Sequence, residues 1–226
     1  MKLALLHTSL VFVSVERLMF DLFAEIMPEV TLINLVDDSL LPEVMQTGHV
    51  TTATTQRMYH LAAAGEAAGC DAILSLCSSL GPAIDPIRRL IAIPLLKIDE
   101  PMAAQAVARG RRIGVMATVP TTLNPTCALI AAQAAAEGTT IDTTPCLVDG
   151  AFGCLMNGER EAHDDRVLAV GARLAAEVDV IVLAQASMTR LATALSERAN
   201  CAVLTSPRSG IEGARDALER LAGVAV

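Results

Sequence analysis

The chain has 226 residues, of which 53% are hydrophobic and only 2% aromatic, and its 17 basic and 25 acidic residues give a net charge of −8. This aliphatic content excludes intrinsic disorder and predicts one or two domains with a core of Ala, Leu, Val, Ile and Met. The acidic balance argues against nucleic-acid binding, and the shortage of aromatic rings removes the stacking platforms that single-stranded nucleic acids need.

The six cysteines show neither CxxC spacing nor a zinc-binding pattern, so we expect reduced thiols and no metal site. The longest segment without charged residues, Ile113–Ala136, contains Pro120 and Pro125 and is not predicted to be a transmembrane helix. The N-terminus lacks a small-residue cleavage site of the kind that ends a signal peptide. These features predict a cytoplasmic protein that binds no membrane.

Short apolar segments alternate with longer amphipathic ones along the chain. Strands are predicted at Leu3–His7, Val30–Leu35, Ala72–Leu76, Ile93–Ile98, Ile113–Ala117, Val178–Ala184 and Ala202–Thr205. Helices are predicted at Val15–Met27, Thr52–Ala68, Met102–Arg109, Thr122–Ala136, Arg160–Glu177, Thr189–Ala199 and Gly210–Leu221. Apolar strands that alternate with helices are typical of a parallel sheet covered on both faces. The sequence therefore predicts an α/β fold.

Two segments of the chain recur at an offset of about 110 residues. Asp71–Leu80 resembles Asp179–Met188, and Lys2–Thr8 resembles Arg112–Thr118. We therefore expect two pseudo-symmetric three-layer α/β domains with mostly parallel sheets: residues 1–109, completed by the C-terminal helix 207–226, and residues 110–206. Ligands of parallel sheets bind beyond the carboxyl ends of the strands, so we expect the active site in an interdomain cleft.

Cys77 follows the predicted strand Ala72–Leu76 and begins a turn of small residues. A thiol at the start of a helix has its pKa lowered below the free value of about 8.5, and it can then act as a base or nucleophile. The hydroxyl and N–H groups of Ser78 and Ser79 would form a nest for a carboxylate. The alternative is that Cys77 is simply a small buried apolar residue.

Thr118 ends the first strand of the second half, and Thr121 lies in the polar turn just before the predicted helix Thr122–Ala136. Their hydroxyls, together with the N–H groups of the helix, also suit an anion. Simple helix capping explains the same pattern. Cys146 and Cys154 bracket Leu147–Gly153, which we interpret as a loop that could cover a pocket.

The segments Cys77–Gly81 and Ile113–Thr118, together with the repeat, resemble the aspartate/glutamate racemase superfamily. That group includes aspartate, glutamate and hydantoin racemases, maleate isomerase and arylmalonate decarboxylase. The resemblance implies a site between two α/β domains, no cofactor, and a small carboxylic acid as substrate. It also implies that Cys77 is one of two cysteines that exchange a proton on opposite faces of the substrate's α-carbon.

This sequence departs from the family pattern where the second cysteine should follow the Val178–Ala184 strand, because Gln185 stands there. A carboxamide does not titrate near neutral pH, so it can hold a substrate by hydrogen bonds but cannot transfer its proton. Ala186 and Ser187, which follow it, are expected to line the substrate pocket.

A single thiol leaves three reactions open. Cys77 could protonate, from one face, the enediolate left by a decarboxylation. It could also racemise a substrate with a different second base, for which His7 at the end of the first strand is the candidate. It could also add to an activated alkene and catalyse cis–trans isomerisation. We favour a racemase or isomerase, with decarboxylation of a malonate-type acid as the nearest alternative.

Two non-catalytic alternatives are considered. Gln185 is compatible with a small-acid binding protein that has lost the chemistry. A nucleotide-binding protein is disfavoured, because no glycine-rich phosphate loop follows the first strand, where the sequence reads His7–Leu10. The Ala- and Met-rich helices leave homo-oligomerisation open.

Overall fold

The computed structural model of the chain describes residues 1–10 and 17–224. The strands are β1 (Lys2–His7), β2 (Thr31–Val36), β3 (Ala72–Ser75), β4 (Leu95–Lys97), β5 (Arg112–Ala117), β6 (Asp142–Leu147), β7 (Val180–Leu183) and β8 (Ala202–Thr205). The helices are α1 (Leu18–Ile26), α2 (Leu40–Thr47), α3 (Thr52–Ala67), α4 (Gly81–Ile87), α5 (Glu100–Arg109), α6 (Pro120–Ala136), α7 (Ala151–Met156), α8 (Arg160–Leu174), α9 (Ala192–Ala199) and α10 (Ser206–Val224). Three 3₁₀ segments, Ser78–Leu80, Arg88–Leu90 and Ala186–Leu191, complete the described elements.

The strands form two four-stranded sheets, ordered β2-β1-β3-β4 and β6-β5-β7-β8, in which every paired strand is parallel. The chain therefore has the predicted α/β fold with helices on both sides of each sheet. The two sheets also have the same strand order, as expected from the internal repeat. Within the described residues, no helix combines the length and apolarity needed to cross a membrane.

Strand β6 (Asp142–Leu147) is absent from the predicted set. Among the described strands it lies at an edge of its sheet and pairs with β5 alone, and none of its residues is fully buried. Its sequence contains Asp142, two threonines and Pro145, and lacks the continuous apolar run that marks buried strands. Proline is tolerated at a sheet edge, where one side of the strand needs no partner. The first two residues of the predicted helix Val15–Met27 lie outside the described residues, and α1 begins at Leu18.

The interpretation of Leu147–Gly153 as a loop is wrong. Leu147 and Cys146 belong to β6, and helix α7 begins at Ala151 and contains Cys154. Gly150 caps this helix with a φ of 73°, a left-handed conformation that glycine adopts without strain. Ala151 is fully buried, so the short helix is anchored by packing.

The first compact unit comprises Met1–Ile98 and Pro207–Val226. Side chains alternate across β1, so that Ala4 and Leu6 pack with α2, α3 and α4, whereas Leu3 and Leu5 pack with α1 and α10. Helix α10 contributes Ile211, Ala214 and Leu218 to that second layer. Its Arg208 also forms two hydrogen bonds to the Glu25 carboxylate of α1, at 2.8 and 2.9 Å.

The second compact unit comprises Asp99–Ser206. One face of its sheet packs against α5 and α6, and the other against α8 and α9. Helix α5 buries Met102, Ala103, Ala106 and Val107 against this sheet. The division therefore falls at Ile98–Asp99, earlier than the charged link Arg109–Arg112, because the apolar face of α5 belongs to the second core.

Two equivalent aspartates hold the starts of the central strands. In the first unit, the Asp71 carboxylate accepts a hydrogen bond from the Lys2 backbone N–H at 2.7 Å. In the second, the Asp179 carboxylate accepts from the backbone N–H groups of Arg111 and Arg112 at 3.0 and 2.9 Å, and from the Arg112 guanidinium. These bonds lower the pKa of Asp179 to about 2. The same device therefore appears at the matching positions of the repeat.

Candidate functional site

Cys77 lies at the carboxyl end of β3, at the start of the turn into α4. Its backbone is extended, with φ −126° and ψ 110°, and its carbonyl accepts the Leu80 N–H at 3.2 Å to begin the 3₁₀ turn. The side chain is only partly buried and packs against the core between the sheet and α2, α3 and α4. Ser78 is also partly buried, whereas Ser79 is 3% exposed. The thiol is therefore not sealed in the core.

The remaining cysteines have different surroundings. Burial raises the pKa of the Cys70, Cys127, Cys146 and Cys201 thiols, which favours their protonated form. All six cysteines of the chain are free thiols. A protonated thiol is a poor nucleophile, so these four cysteines are weaker candidates for catalysis than an activated one.

His7 ends β1 and is almost completely buried, with 2% of its surface exposed. Its Nε2 lies 2.8 Å from the Asn34 Oδ1, and its ring stacks on Phe20 at a centroid distance of 6.5 Å. The amide oxygen can only accept, so Nε2 carries the proton when the imidazole is neutral. Burial lowers the pKa of His7, although the hydrogen bond to Asn34 partly opposes this effect. A neutral imidazole is therefore favoured.

Lys97 is a charged residue that the sequence analysis overlooked. It lies, like Cys77 and His7, at the carboxyl ends of the strands of the first sheet. It ends β4, its side chain is 8% exposed, and its Nζ lies 2.7 and 2.8 Å from the two carboxylate oxygens of Asp85 in α4. The signal was a single lysine at the end of the apolar segment Ile93–Ile98. A charge in such a run is costly unless it is paired.

Gln185 follows β7 and is held by Thr118, which follows β5. The Gln185 Oε1 accepts hydrogen bonds from the Thr118 backbone N–H and, at 3.0 Å, from the Thr118 hydroxyl. Because a backbone N–H can only donate, the amide oxygen must face Thr118 and the amide nitrogen must point away. No other hydrogen bond of the Gln185 side chain is found among the described residues. The structure thus joins two residues that the sequence analysis proposed separately.

Thr121 lies in the first turn of α6, directly after Pro120. Its hydroxyl is buried and has no hydrogen-bond partner among the described residues, although buried polar groups are usually paired. Ala186 and Ser187 begin the 3₁₀ segment after Gln185, and both are partly buried. The carboxyl edge of the second sheet therefore offers hydroxyl and amide donors.

An ion pair anchors the segment that follows Gln185. Arg190, in the 3₁₀ segment Ala186–Leu191, donates to an Asp164 carboxylate oxygen at 2.6 Å, and the same oxygen lies 2.7 Å from Nδ1 of the fully buried His163. Asp164 and His163 belong to α8, so this network ties the segment to that helix.

The carboxyl ends of the strands thus carry different chemical groups in the two sheets. The first sheet carries a partly exposed thiol, and the second carries neutral hydrogen-bond donors, with an amide at position 185 that cannot act as acid or base. Across residues 1–10 and 17–224, no three His, Cys, Asp or Glu side chains are grouped as metal ligands.

A family model for Asp/Glu/Hydantoin racemase matches residues 13–214 of the chain. No curated protein matches the sequence. A solved structure of a putative Asp/Glu racemase from Yersinia pestis is 20% identical, with a TM-score of 0.72, and the similarity covers 96% of this chain and 100% of that chain. Glutamate racemase from Aquifex pyrophilus is 15% identical, with a TM-score of 0.67 and coverage of 96% and 83%. Unliganded arylmalonate decarboxylase is 16% identical, with a TM-score of 0.56 and coverage of 96% and 91%. These likenesses show the fold.

Proposed function

Because the chain belongs to the Asp/Glu/Hydantoin racemase family, we propose that it is a cofactor-independent enzyme of racemase or isomerase type that uses a single thiol, Cys77. The substrate would be a small carboxylic acid, and the proton would be transferred at the carbon next to the carboxylate. The observation that carries this proposal is the partly exposed thiol at the carboxyl end of β3.

The chemical difficulty is the negative charge that develops when the α-proton leaves. The electrons of the C–H bond move onto the carboxylate and form an enediolate, while the Cys77 thiolate takes the proton. Preorganised donors stabilise such charge, and removal of one donor typically costs about 10²–10³ in rate. In this proposal Ser78, Ser79 and Thr121 provide those donors. Thr118 acts through Gln185, because its N–H and its hydroxyl both donate to the Gln185 Oε1. The buried Thr121 hydroxyl, which finds no partner in the part of the chain that the structure describes, supports this role, because it could donate to a substrate oxygen.

In this proposal Gln185 binds the substrate and takes no part in proton transfer. Its oxygen is occupied by Thr118, so its two amide N–H groups remain as donors to a substrate oxygen. Ala186 and Ser187 would form the adjoining wall of the pocket. Racemisation would then require a second acid or base, and we retain His7 as the candidate.

Gln185 also favours a second candidate function, the decarboxylation of a malonate-type acid. The C–C bond to one carboxylate breaks, CO₂ leaves, and the bonding electrons remain as an enediolate that the Cys77 S–H protonates from one face. The resulting thiolate regains its proton from water. This reaction needs only one acid, in agreement with the amide at position 185.

The test is deuterium incorporation from D₂O into a panel of amino, hydroxy and malonate-type acids, followed by proton NMR and chiral analysis. We expect exchange or one-face deuteration with the native protein and with a Cys127→Ala control, and a loss of about 10²–10⁴ in rate for Cys77→Ala. Exchange that persists in Cys77→Ala would exclude Cys77 from the mechanism.

Gln185→Cys tests whether one substrate molecule is reached by both position 77 and position 185, as the proposal requires. A second thiol should convert one-face protonation into exchange on both faces. A variant that folds and binds the acid but shows unchanged stereochemistry would contradict this placement. Ligand binding without exchange in any variant would instead identify a small-acid binding protein.

A further inference from the structure

The ion pair between Lys97 and Asp85 lies beside the Cys77 turn, and the family assignment gives it no role. We propose that Lys97 is the charge that holds Cys77 in its thiolate form, and that Asp85 moderates this effect. The inference rests on the proposed role of Cys77 in catalysis. Its test reads the thiol directly and needs no substrate, so it can fail independently of the proposed function.

Strand register places Lys97 and Cys77 on one face of the first sheet. Ile73 pairs with Leu95 and Ser75 with Lys97 across β3 and β4. Side chains alternate along a strand, so Ile73, Ser75 and Cys77 share a face, and Ile73, Leu95 and Cys77 indeed pack in the same core cluster. Strand spacings of about 5 Å across the sheet and about 7 Å along two residues put the two Cα atoms roughly 8 Å apart.

Lys97 also crosses the start of the helix into which the Cys77 turn leads. A Cβ atom on Gly81, the first residue of α4, would lie 3.7 Å from the Lys97 Cδ. The stem of Lys97 thus runs from β4 over the first turn of α4 to Asp85, one turn further along.

Burial decides which charge of the pair dominates at the thiol. The Lys97 side chain is 8% exposed, whereas the Asp85 side chain is 60% exposed. Water screens an exposed charge more than a buried one, so the carboxylate cancels the ammonium only in part. The net field at the turn is positive, and a positive field favours the thiolate.

Two arginines complete the charges near this pair. Arg88, in the 3₁₀ segment after α4, lies 3.6 Å from the Asp85 carboxylate and adds a second positive charge beside it. The Arg57 guanidinium of α3 binds Asp37 through Nε at 2.9 Å and Glu43 of α2 at 2.6 Å. Tyr59 of α3 packs against the same cluster. The Arg57 network and Tyr59 are unchanged in the variants below and form a constant background for Cys77, whereas Asp85→Asn removes the negative charge beside both Lys97 and Arg88.

The experiment measures the rate of iodoacetamide labelling at Cys77 by mass spectrometry as a function of pH. Relative to the native protein, Lys97→Met should move the midpoint of the profile up by about 0.5–1 pH unit and slow labelling at pH 7 about threefold to tenfold. Asp85→Asn should move the midpoint down, because it removes the negative charge beside the Lys97 ammonium. The double variant should return towards the native profile.

Midpoint shifts of opposite sign in Lys97→Met and Asp85→Asn separate this electrostatic role from a purely structural one. A loosening of the turn would shift the midpoint of both variants in the same direction. Arg89→Met, which removes an exposed positive charge from the neighbouring 3₁₀ segment, is the matched control and should shift the midpoint by less than about 0.2 unit. An unchanged midpoint in Lys97→Met, or shifts of the same sign in both variants, would overturn the proposal.

Lys97→Arg keeps the charge and protects the test against a folding failure of Lys97→Met. If Lys97→Met does not fold, Lys97→Arg should keep the native midpoint while Asp85→Asn lowers it. A midpoint that rises in both of these variants would overturn the proposal equally.

Discussion

Substitution of Gly210 by alanine tests how closely helix α10 docks on the first sheet. A Cβ atom at this position would lie 2.3 Å from the backbone oxygen of Ile98 and 2.4 Å from its Cγ1, where ordinary contacts are 3.4–4 Å. The backbone of Ile98 cannot yield easily, because its N–H donates to the Ser75 oxygen at 3.0 Å as an extension of the sheet. We therefore expect α10 to withdraw by about 1 Å, since overpacked sites relax by backbone shifts.

Two opposing effects set the size of the loss. Overpacking costs typically about 1–3 kcal/mol, and we take the upper end because the obstacle is backbone. Alanine gains about 1 kcal/mol over glycine in helix propensity. The net expectation is a loss of about 2 kcal/mol in the free energy of unfolding, as the helix that carries Ile211, Ala214 and Leu218 into the core is displaced.

Urea denaturation followed by circular dichroism provides the measurement, with a shift of the midpoint at constant slope as the expected result. Gly223→Ala in the same helix is the matched control, because a Cβ atom there meets nothing within 4 Å. It should be neutral or stabilise by up to about 1 kcal/mol. Equal stability of the two variants would refute the close docking of α10 at Ile98.

Two further predictions concern pH. Burial lowers the pKa of His7 below 6.5, so the folded state binds fewer protons than the unfolded state, and the stability present above pH 6.5 should fall as the pH drops through that value. In thermal melts at pH 5 and 7.5, His7→Gln should lose less stability at the lower pH than the native protein does. An identical pH dependence in the two proteins would contradict this prediction. Hydrogen bonds from Arg112 and Arg111 lower the pKa of Asp179 from 3.8 to about 2, so its stabilising effect should be present above pH 3.8 and disappear towards pH 2. Asp179→Asn should therefore flatten the acid limb of the stability curve measured by urea denaturation at several pH values, and an unchanged acid limb in this variant would contradict the prediction.

Apolar periodicity was enough to predict the α/β class and most strands. Seven of the eight described strands overlap predicted segments, because buried parallel strands need continuous apolar runs such as Leu3–Leu6 and Val180–Leu183. Strand β6 was not predicted because it lacks such an apolar run. It lies at the edge of its sheet and is less buried than the central strands, so polar residues are tolerated in it.

Local sequence also predicted that Cys77, Thr118 and Gln185 end strands, since each stands directly after an apolar run. Their pairing was not predictable in this way. The orientation of the Gln185 amide depends on Thr118, which is distant in sequence and is brought close by the pairing of β5 with β7.

The amino-acid order alone therefore establishes the class of fold, the repeat and the residues at the strand ends, because these follow from spacing along the chain. Only the tertiary structure shows that Lys97 and Cys77 lie on the same face of the first sheet and that α5 packs on the second sheet. It also shows that the Gln185 amide oxygen faces Thr118, which leaves the amide nitrogen pointing away from it. Such features depend on contacts between residues far apart in sequence, where neither periodicity nor local propensity carries information.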